Sequence, residues 1–105
     1  MKLLQIDFRT DGPWEEEMSI AFTELATLIS ETEGLVWKIW TENKETQEAG
    51  GIYLFMDEQS LQANLTEHTA RLRSFGITDI RAKIFNVNEP LTKITGSLSF
   101  NSFSN

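Results

Sequence analysis

The chain's one histidine lies where it could carry out acid–base chemistry. His68 belongs to an otherwise apolar series, Leu61, Leu65, Leu72 and Phe75, with steps of four, three, four and three residues. This is the spacing of one face of a helix, so His68 is predicted to point towards the interior. A buried imidazole must find a polar partner or line a cavity. His68 is therefore either a proton-transfer group in a pocket or a hydrogen-bonded core histidine.

A positively charged residue lies one helical turn after this histidine. Arg71 is three residues from His68, at the flank of the same apolar series. A guanidinium in that position could bind an anionic or phenolate oxygen at the edge of a pocket. The alternative is that Arg71 is a solvated charge on the helix surface.

The composition limits the functions that are open to the chain. It has 105 residues, no cysteine and a formal net charge of −7. The length suits one domain, and the missing thiols exclude cysteine-based metal and redox sites. The negative charge argues against a general nucleic-acid binder. The longest apolar run, Ile52 to Met56, is far shorter than the ~20 residues of a membrane span, so we expect no membrane contact and a cytoplasmic protein.

Hydrophobic periodicity predicts the elements that must position these residues. Residues that alternate or favour extended structure predict four strands, at 2–8, 35–41, 51–56 and 77–87. Apolar residues at every third or fourth position predict a helix of about 18 residues after Pro13 and a second one between Asp57, a capping residue, and Gly76. This order predicts a ferredoxin-like β-α-β-β-α-β sandwich, with an antiparallel four-stranded sheet and two helices on one face. We assign residues 1–95 to this domain and 96–105 to a loose tail.

Strand alternation predicts which side chains each face of the sheet carries. The face under the helices is predicted to carry Leu4, Ile6, Phe8, Trp37, Ile39, Ile52, Leu54, Met56, Ile80, Ala82 and Ile84. The other face is predicted to carry Gln5, Asp7, Lys38, Trp40, Tyr53, Phe55, Arg81, Lys83 and Phe85. The four large aromatic residues on the second face give it more apolar area than a solvent-exposed surface usually has. A homodimer that packs sheet against sheet would cover them; the alternative is an exposed face on which the aromatics shield one another.

Four segments of the chain also resemble a known family. Trp37–Glu42, Glu48–Phe55, His68–Leu72 and Asn88–Leu91 resemble segments of the YdhR family of putative mono-oxygenases, and the resemblance extends from Leu3 to about Ile94. The family belongs to the dimeric α+β barrel group, in which two ferredoxin-like protomers pack sheet against sheet. The resemblance therefore implies the fold and the homodimer that the face pattern favours independently.

The activities found in that group give three hypotheses for function. The first is a cofactor-independent mono-oxygenase that acts on a small aromatic or quinol-like molecule. The second is a non-catalytic small-molecule-binding or stress-related module on the same dimeric scaffold. The third, haem degradation, is disfavoured because the group's haem degraders carry a tryptophan ten residues before the helix histidine. This chain has Glu58 there, and its first strand lacks the expected asparagine.

Cofactor-free oxygenation of an aromatic ring implies a particular set of site residues. The site must bind the ring, take a proton and exclude water. For these roles we predict His68, Arg71 and Tyr53 as catalytic residues, with no metal and no organic cofactor. The predicted substrate-binding residues are Trp37, Phe8, Phe22, Leu54 and Leu65.

Overall fold

The sheet has the strand order that the sequence predicts for a ferredoxin-like fold. A computed structural model of the protein describes residues 1–96. The elements in chain order are β1 (Lys2–Arg9), α1 (Glu15–Ala21), α2 (Thr23–Ser30), β2 (Leu35–Asn43), β3 (Glu48–Phe55), α3 (Glu58–Ser74), β4 (Arg81–Asn86) and α4 (Glu89–Thr95). The strands lie in the order β2-β3-β1-β4, and every neighbouring pair is antiparallel. The predicted α+β fold is confirmed, and β2 and β4 form the edges.

None of the helices in residues 1–96 is long and apolar enough to cross a membrane.

The predicted tail, 96–105, lies outside the described residues apart from Gly96. Its separation from the 1–95 domain stays a prediction.

The first helical segment differs from the single long helix predicted after Pro13. Two short helices, α1 and α2, flank Phe22, whose backbone is non-helical. Around this break the hydroxyl groups of Ser19, Thr23 and Thr27 each donate to the carbonyl four residues earlier, at 2.6–3.2 Å. Such back-bonding weakens and bends helices, which gives the interruption a physical cause. The Phe22 ring stacks on Trp40 with a centroid distance of 6.3 Å.

The second long helix agrees closely with its prediction. Asp57 caps α3, because its carboxylate accepts a hydrogen bond from the Ser60 amide at 2.8 Å. Three members of the apolar series, Leu61, His68 and Leu72, are buried on the inner side of α3. Phe75 departs from the series and is 66% exposed, because α3 ends at Ser74 and Phe75 is its C-cap.

The register of β3 corrects the predicted faces of two strands. Tyr53 pairs with Leu4, whereas Ile52 pairs with Gln5. The buried core is made of Leu4, Ile6, Tyr53, Phe55, Leu61 and Leu72. Tyr53 and Phe55 therefore lie on the helix-covered face, and the prediction for β3 was wrong. The prediction failed because residues 52–55 are all large and apolar. Their alternation therefore does not distinguish a solvent-facing side from a buried side.

The same correction applies to β2, where a bulge is responsible. Leu35 pairs with Phe55, but Trp37 pairs with Leu54, so one extra residue lies between these two pairs. A bulge of one residue moves every later side chain to the other face. Lys38 and Trp40 consequently lie on the helix-covered face, opposite Tyr53 and Gly51.

The two other strands follow their predicted faces. Ile84 and Ala82 pair with Leu4 and Ile6, and Phe85 pairs with Leu3. Met56, predicted under the helices, follows the end of β3 and is exposed. Together the registers give the helix-free face its apolar residues, which are Leu3, Trp37, Ile39, Ile52, Leu54 and Phe85.

Candidate active site

A cavity of about 300 Å³ lies between the helices and the helix-covered face of the sheet. Its volume is at the small end of the range for small-molecule sites. Most of its wall is apolar and includes Phe8, Met18, Phe22, Leu25, Trp40 and Leu72. The polar side chains that line it are Thr10, Lys38, His68 and Arg71. We call this cavity the aromatic pocket.

Two adjacent glycines in β3 shape one side of this pocket. Gly50 lies so close to β1 that an added Cβ atom would be 1.8 Å from the Ile6 carbonyl oxygen, a distance that no side chain tolerates. An added Cβ atom on Gly51 would lie 2.7 Å from the Lys38 Cε atom. Because Gly51 has no side chain, it leaves the space that the Lys38 side chain occupies.

His68 joins two other side chains into one hydrogen-bonded group. Its Nε2 atom is 2.9 Å from the Tyr53 hydroxyl oxygen, and its Nδ1 atom is 3.2 Å from Arg71 Nη1. A guanidinium can only donate, so Nδ1 accepts from Arg71 and the imidazole hydrogen is assigned to Nε2. His68 then donates to the Tyr53 oxygen. The Arg71 Nη2 atom also donates to Glu67, at 3.2 Å.

Burial sets the protonation states of this group. Burial, reinforced by the positive charges of Lys38 and Arg71, lowers the pKa of His68 to about 4. Burial also raises the pKa of the Tyr53 hydroxyl above its ordinary value, against the smaller opposing effect of Arg71. His68 is therefore a neutral imidazole and Tyr53 a neutral phenol at pH 7.

Lys38 contributes an amine to the same pocket. Its Nζ atom is 3.5 Å from the Trp40 ring centroid and 4.6 Å from the Tyr53 ring centroid, which is cation–π geometry for a charged ammonium. Burial, reinforced by the charge of Arg71, lowers the pKa of Lys38 to about 7. This amine therefore changes charge near neutral pH, unlike an exposed lysine.

The comparisons with known proteins agree with this architecture. The sequence model of the family described as "Putative mono-oxygenase ydhR" matches residues 3–98. The chain belongs to this family. No protein of curated function matches the sequence.

Two solved structures share the fold of this YdhR-family chain. The first is a putative antibiotic biosynthesis monooxygenase from Deinococcus radiodurans, with a TM-score of 0.58 and 11% identity, covering 84% of this chain and 93% of its own. The second is a variant of SnoaB, a cofactor-independent oxygenase from Streptomyces nogalater, with a TM-score of 0.56 and 14% identity, covering 83% and 93%. At these identities the likeness shows the fold alone.

The structure brings part of the predicted site of this YdhR-family chain together. His68, Arg71, Phe8 and Phe22 all line the aromatic pocket. Tyr53 is buried and joins the site through its hydrogen bond to His68. Leu65 is half-buried against the core and does not line the pocket.

Two predicted substrate contacts lie on the other side of the sheet from the pocket. Trp37 and Leu54 pair with each other on the helix-free face, so neither belongs to the pocket wall, and their contact with a substrate stays a prediction. Lys38 and Trp40 line the pocket instead, although strand alternation predicted both on the opposite face. Their spacing of two residues already showed that they share a face, but only the bulge in β2 decides which one.

Within residues 1–96 no three histidine, aspartate or glutamate side chains lie close enough together to hold a metal ion.

The depressed pKa of His68 predicts how stability changes in acid. The folded state keeps this imidazole neutral down to about pH 4, whereas an unfolded chain protonates it near 6.5. The unfolded state binds more protons between these values, so stability falls as the pH drops through that window. The loss at pH 4.5 is roughly 2 kcal/mol relative to pH 7.5.

Urea unfolding of wild type and His68→Gln at pH 7.5 and 4.5 measures this effect. Carboxylates contribute equally to both proteins, so the variant is expected to lose less stability in acid by roughly 2 kcal/mol. Equal losses in the two proteins would show that His68 is not held neutral by the fold.

Proposed function

We propose that the protein is a mono-oxygenase that oxidises a small aromatic or quinol-like molecule without a metal or organic cofactor. One observation carries this proposal: a basic amine, an imidazole and a guanidinium face a pocket whose wall is otherwise mostly apolar and aromatic. Membership of a mono-oxygenase family supports the reaction class. A flat ring can lie against Phe22 and Trp40, with its oxygen directed at the polar groups.

The proposed reaction needs proton transfer and exclusion of water from the protein. An electron-rich phenol loses its proton, and the phenolate passes one electron to O₂ to give a phenoxyl radical and superoxide. These combine into a carbon-bound peroxide, which takes up a proton. Loss of the hydrogen on that carbon as a proton, with cleavage of the O–O bond, leaves a ketone and one water. One oxygen atom enters the product and the other enters water, with the substrate as the reductant.

The hydrogen-bonded group has a role in each stage of this scheme. Arg71 places its charge beside His68 and faces the pocket, where it stabilises the phenolate or peroxide anion. We propose His68 as the proton-transfer residue of the peroxide stage. Tyr53 accepts the hydrogen bond from His68 Nε2 and so fixes the orientation of the His68 imidazole. Phe8 and Phe22 contact the substrate ring.

Oxygen uptake by chelator-treated protein tests this proposal. We expect uptake with dihydroxynaphthalenes, anthrones or alkyl quinols, above the uptake of each compound without protein. The matched control for each phenol is its methyl ether, which fits a similar space but has no phenolic proton. The methyl ethers are expected to bind without consuming oxygen.

The alternative function, a non-catalytic binding module, also has an observation in its favour. Both ring nitrogens of His68 already have protein partners, as a purely structural histidine would. This alternative predicts that phenols and their methyl ethers bind alike and that neither increases oxygen uptake. The same experiment therefore separates the two functions.

We also propose that two copies of the chain pack through the helix-free face. On that face Ile39 is 40% exposed and Phe85 is 48% exposed, although both are large and apolar. Trp37, Ile52 and Leu3 are half-buried beside them. A contiguous apolar sheet face of this kind favours burial against a second copy.

A further inference from the structure

The aromatic pocket holds two basic side chains without a lining carboxylate. Lys38 enters it from β2 and Arg71 from α3, whereas residues from α1, α2 and the segment before α1 contribute no charged group. Within residues 1–96 no aspartate or glutamate lines the pocket, although the chain has 16 acidic residues and a net charge of −7. Glu67, the partner of Arg71, is mostly exposed and does not line it. The pocket therefore lacks an anion between its two cations.

The groups that face Lys38 determine whether its amine is neutral or charged. From β3 the Tyr53 ring lies beneath it, and from β2 itself the Trp40 ring does so. From α3 the neutral His68 and the charged Arg71 face the same pocket. The rings favour an ammonium, but burial and Arg71 disfavour it. An anionic ligand between Lys38 and Arg71 would reverse that balance in favour of the ammonium.

We propose that Lys38 is a catalytic residue whose neutral amine accepts the phenolic proton of the substrate and whose ammonium, together with Arg71, then holds the phenolate. This inference rests on the proposed function and adds its substrate class, an aromatic molecule with an ionisable hydroxyl. In this step the O–H bond breaks and an N–H bond forms, with no change of oxidation state. His68, whose two ring nitrogens already have protein partners, is not the acceptor in this step.

The geometry favours Lys38 over His68 as the first acceptor. The His68 Nδ1 lone pair already accepts from Arg71, and Nε2 carries the hydrogen that Tyr53 accepts. The Lys38 nitrogen contacts the ring faces of Trp40 and Tyr53. Once the amine is protonated, its three N–H donors can hold the phenolate. Its low pKa, about 7, leaves a large neutral fraction at physiological pH.

Titration of a bound chromophoric phenol tests the proposal without turnover. A hydroxynaphthalene is bound under argon, and its phenolate absorption is followed against pH. In wild type the bound phenol is expected to ionise at least one pH unit below the free compound, because opposite charges within ~4–6 Å shift a pKa by 1–3 units. Lys38→Met keeps an unbranched apolar side chain but removes the amine, and it should lose most of that shift. Lys38→Arg, which stays charged, should keep it.

The control variant removes a lysine charge outside the pocket. Lys44 lies in the exposed turn between β2 and β3, and Lys44→Met should leave the bound phenol's ionisation unchanged. A shift that survives in Lys38→Met, or that is lost equally in Lys44→Met, would overturn the proposal. Circular dichroism and gel filtration establish that each variant is folded.

Turnover adds a second readout that a structural role would not affect. In wild type kcat/KM should rise with pH through about 7, where the free amine forms. Lys38→Met should lower kcat/KM at pH 8 by ~10²-fold or more, and Lys38→Arg should lose the rise near pH 7. An unchanged pH profile in Lys38→Arg would contradict the proposal.

Together, the two experiments distinguish a failure of the Lys38 proposal from a failure of the proposed function. Phenolate binding that depends on Lys38, with no oxygen uptake under any condition, would retain Lys38 as the proton acceptor and reject the mono-oxygenase. Oxygen uptake that is unaffected by Lys38→Met would retain the mono-oxygenase and reject Lys38.

Discussion

Replacing His68 by alanine is expected to reduce turnover of an oxidisable phenol by roughly 10²–10⁴-fold, the usual range for a general acid–base residue. The change removes the imidazole that accepts from Arg71 and donates to Tyr53. It leaves the Tyr53 hydroxyl buried without its partner and releases Arg71 from its position at the pocket. Proton transfer and anion stabilisation are therefore lost together.

The conservative variant separates chemistry from folding. His68→Gln can still donate to Tyr53 and accept from Arg71 through its amide, so it should fold and bind ligand like wild type but lose most of the rate. Steady-state oxygen uptake measures turnover, and ligand titration measures binding in the same samples. A rate in His68→Ala within a few-fold of wild type would remove His68 from the mechanism.

Replacing Phe85 by glutamate is expected to dissociate the proposed homodimer, weakening association at least ~100-fold. Phe85 lies on the helix-free face, opposite Leu3 on β1, and is 48% exposed in one chain. A glutamate there would place an unpaired charge in an apolar interface, a change that costs several kcal/mol. The interface itself should bury more than ~1,000 Å² in total, the lower limit for a specific contact.

Light scattering at micromolar concentration measures this effect. The matched control is Ile20→Glu, because Ile20 is 71% exposed and lies on α1, on the covered side of the sheet. That variant should keep the mass of the wild-type dimer. A monomeric mass for wild type, or a dimeric mass for Phe85→Glu at the same concentration, would reject the proposed interface.

The fold was predictable from sequence because its elements differ strongly in pattern. The alternation of β1, the cap at Asp57 and the three-and-four spacing of α3 each have a local cause. The faces of β2 and β3 were not predictable by the same means. A strand that is apolar on both sides has no polar residue to mark its orientation, and the extra residue of the bulge, Val36, is of a type common in regular strands.

The candidate site shows the same limit. Helical spacing alone indicated that His68 points inward with Arg71 at its flank, and both line the pocket. Lys38 was missed because a lysine on an edge strand is normally solvated. Its burial depends on contacts that are distant in sequence: Tyr53 across the strand pair, and the space left by Gly51.

Oxidation of a responsive phenol under ¹⁸O₂, by protein treated with chelator and free of flavin and haem, tests the central claim most directly. Mass spectrometry of product formed during a short reaction is expected to find one ¹⁸O atom per molecule, with formation abolished by argon and strongly reduced in His68→Ala. Product that carries oxygen only from water would contradict a mono-oxygenase. A ligand that binds in the aromatic pocket and is recovered unchanged would favour a binding protein.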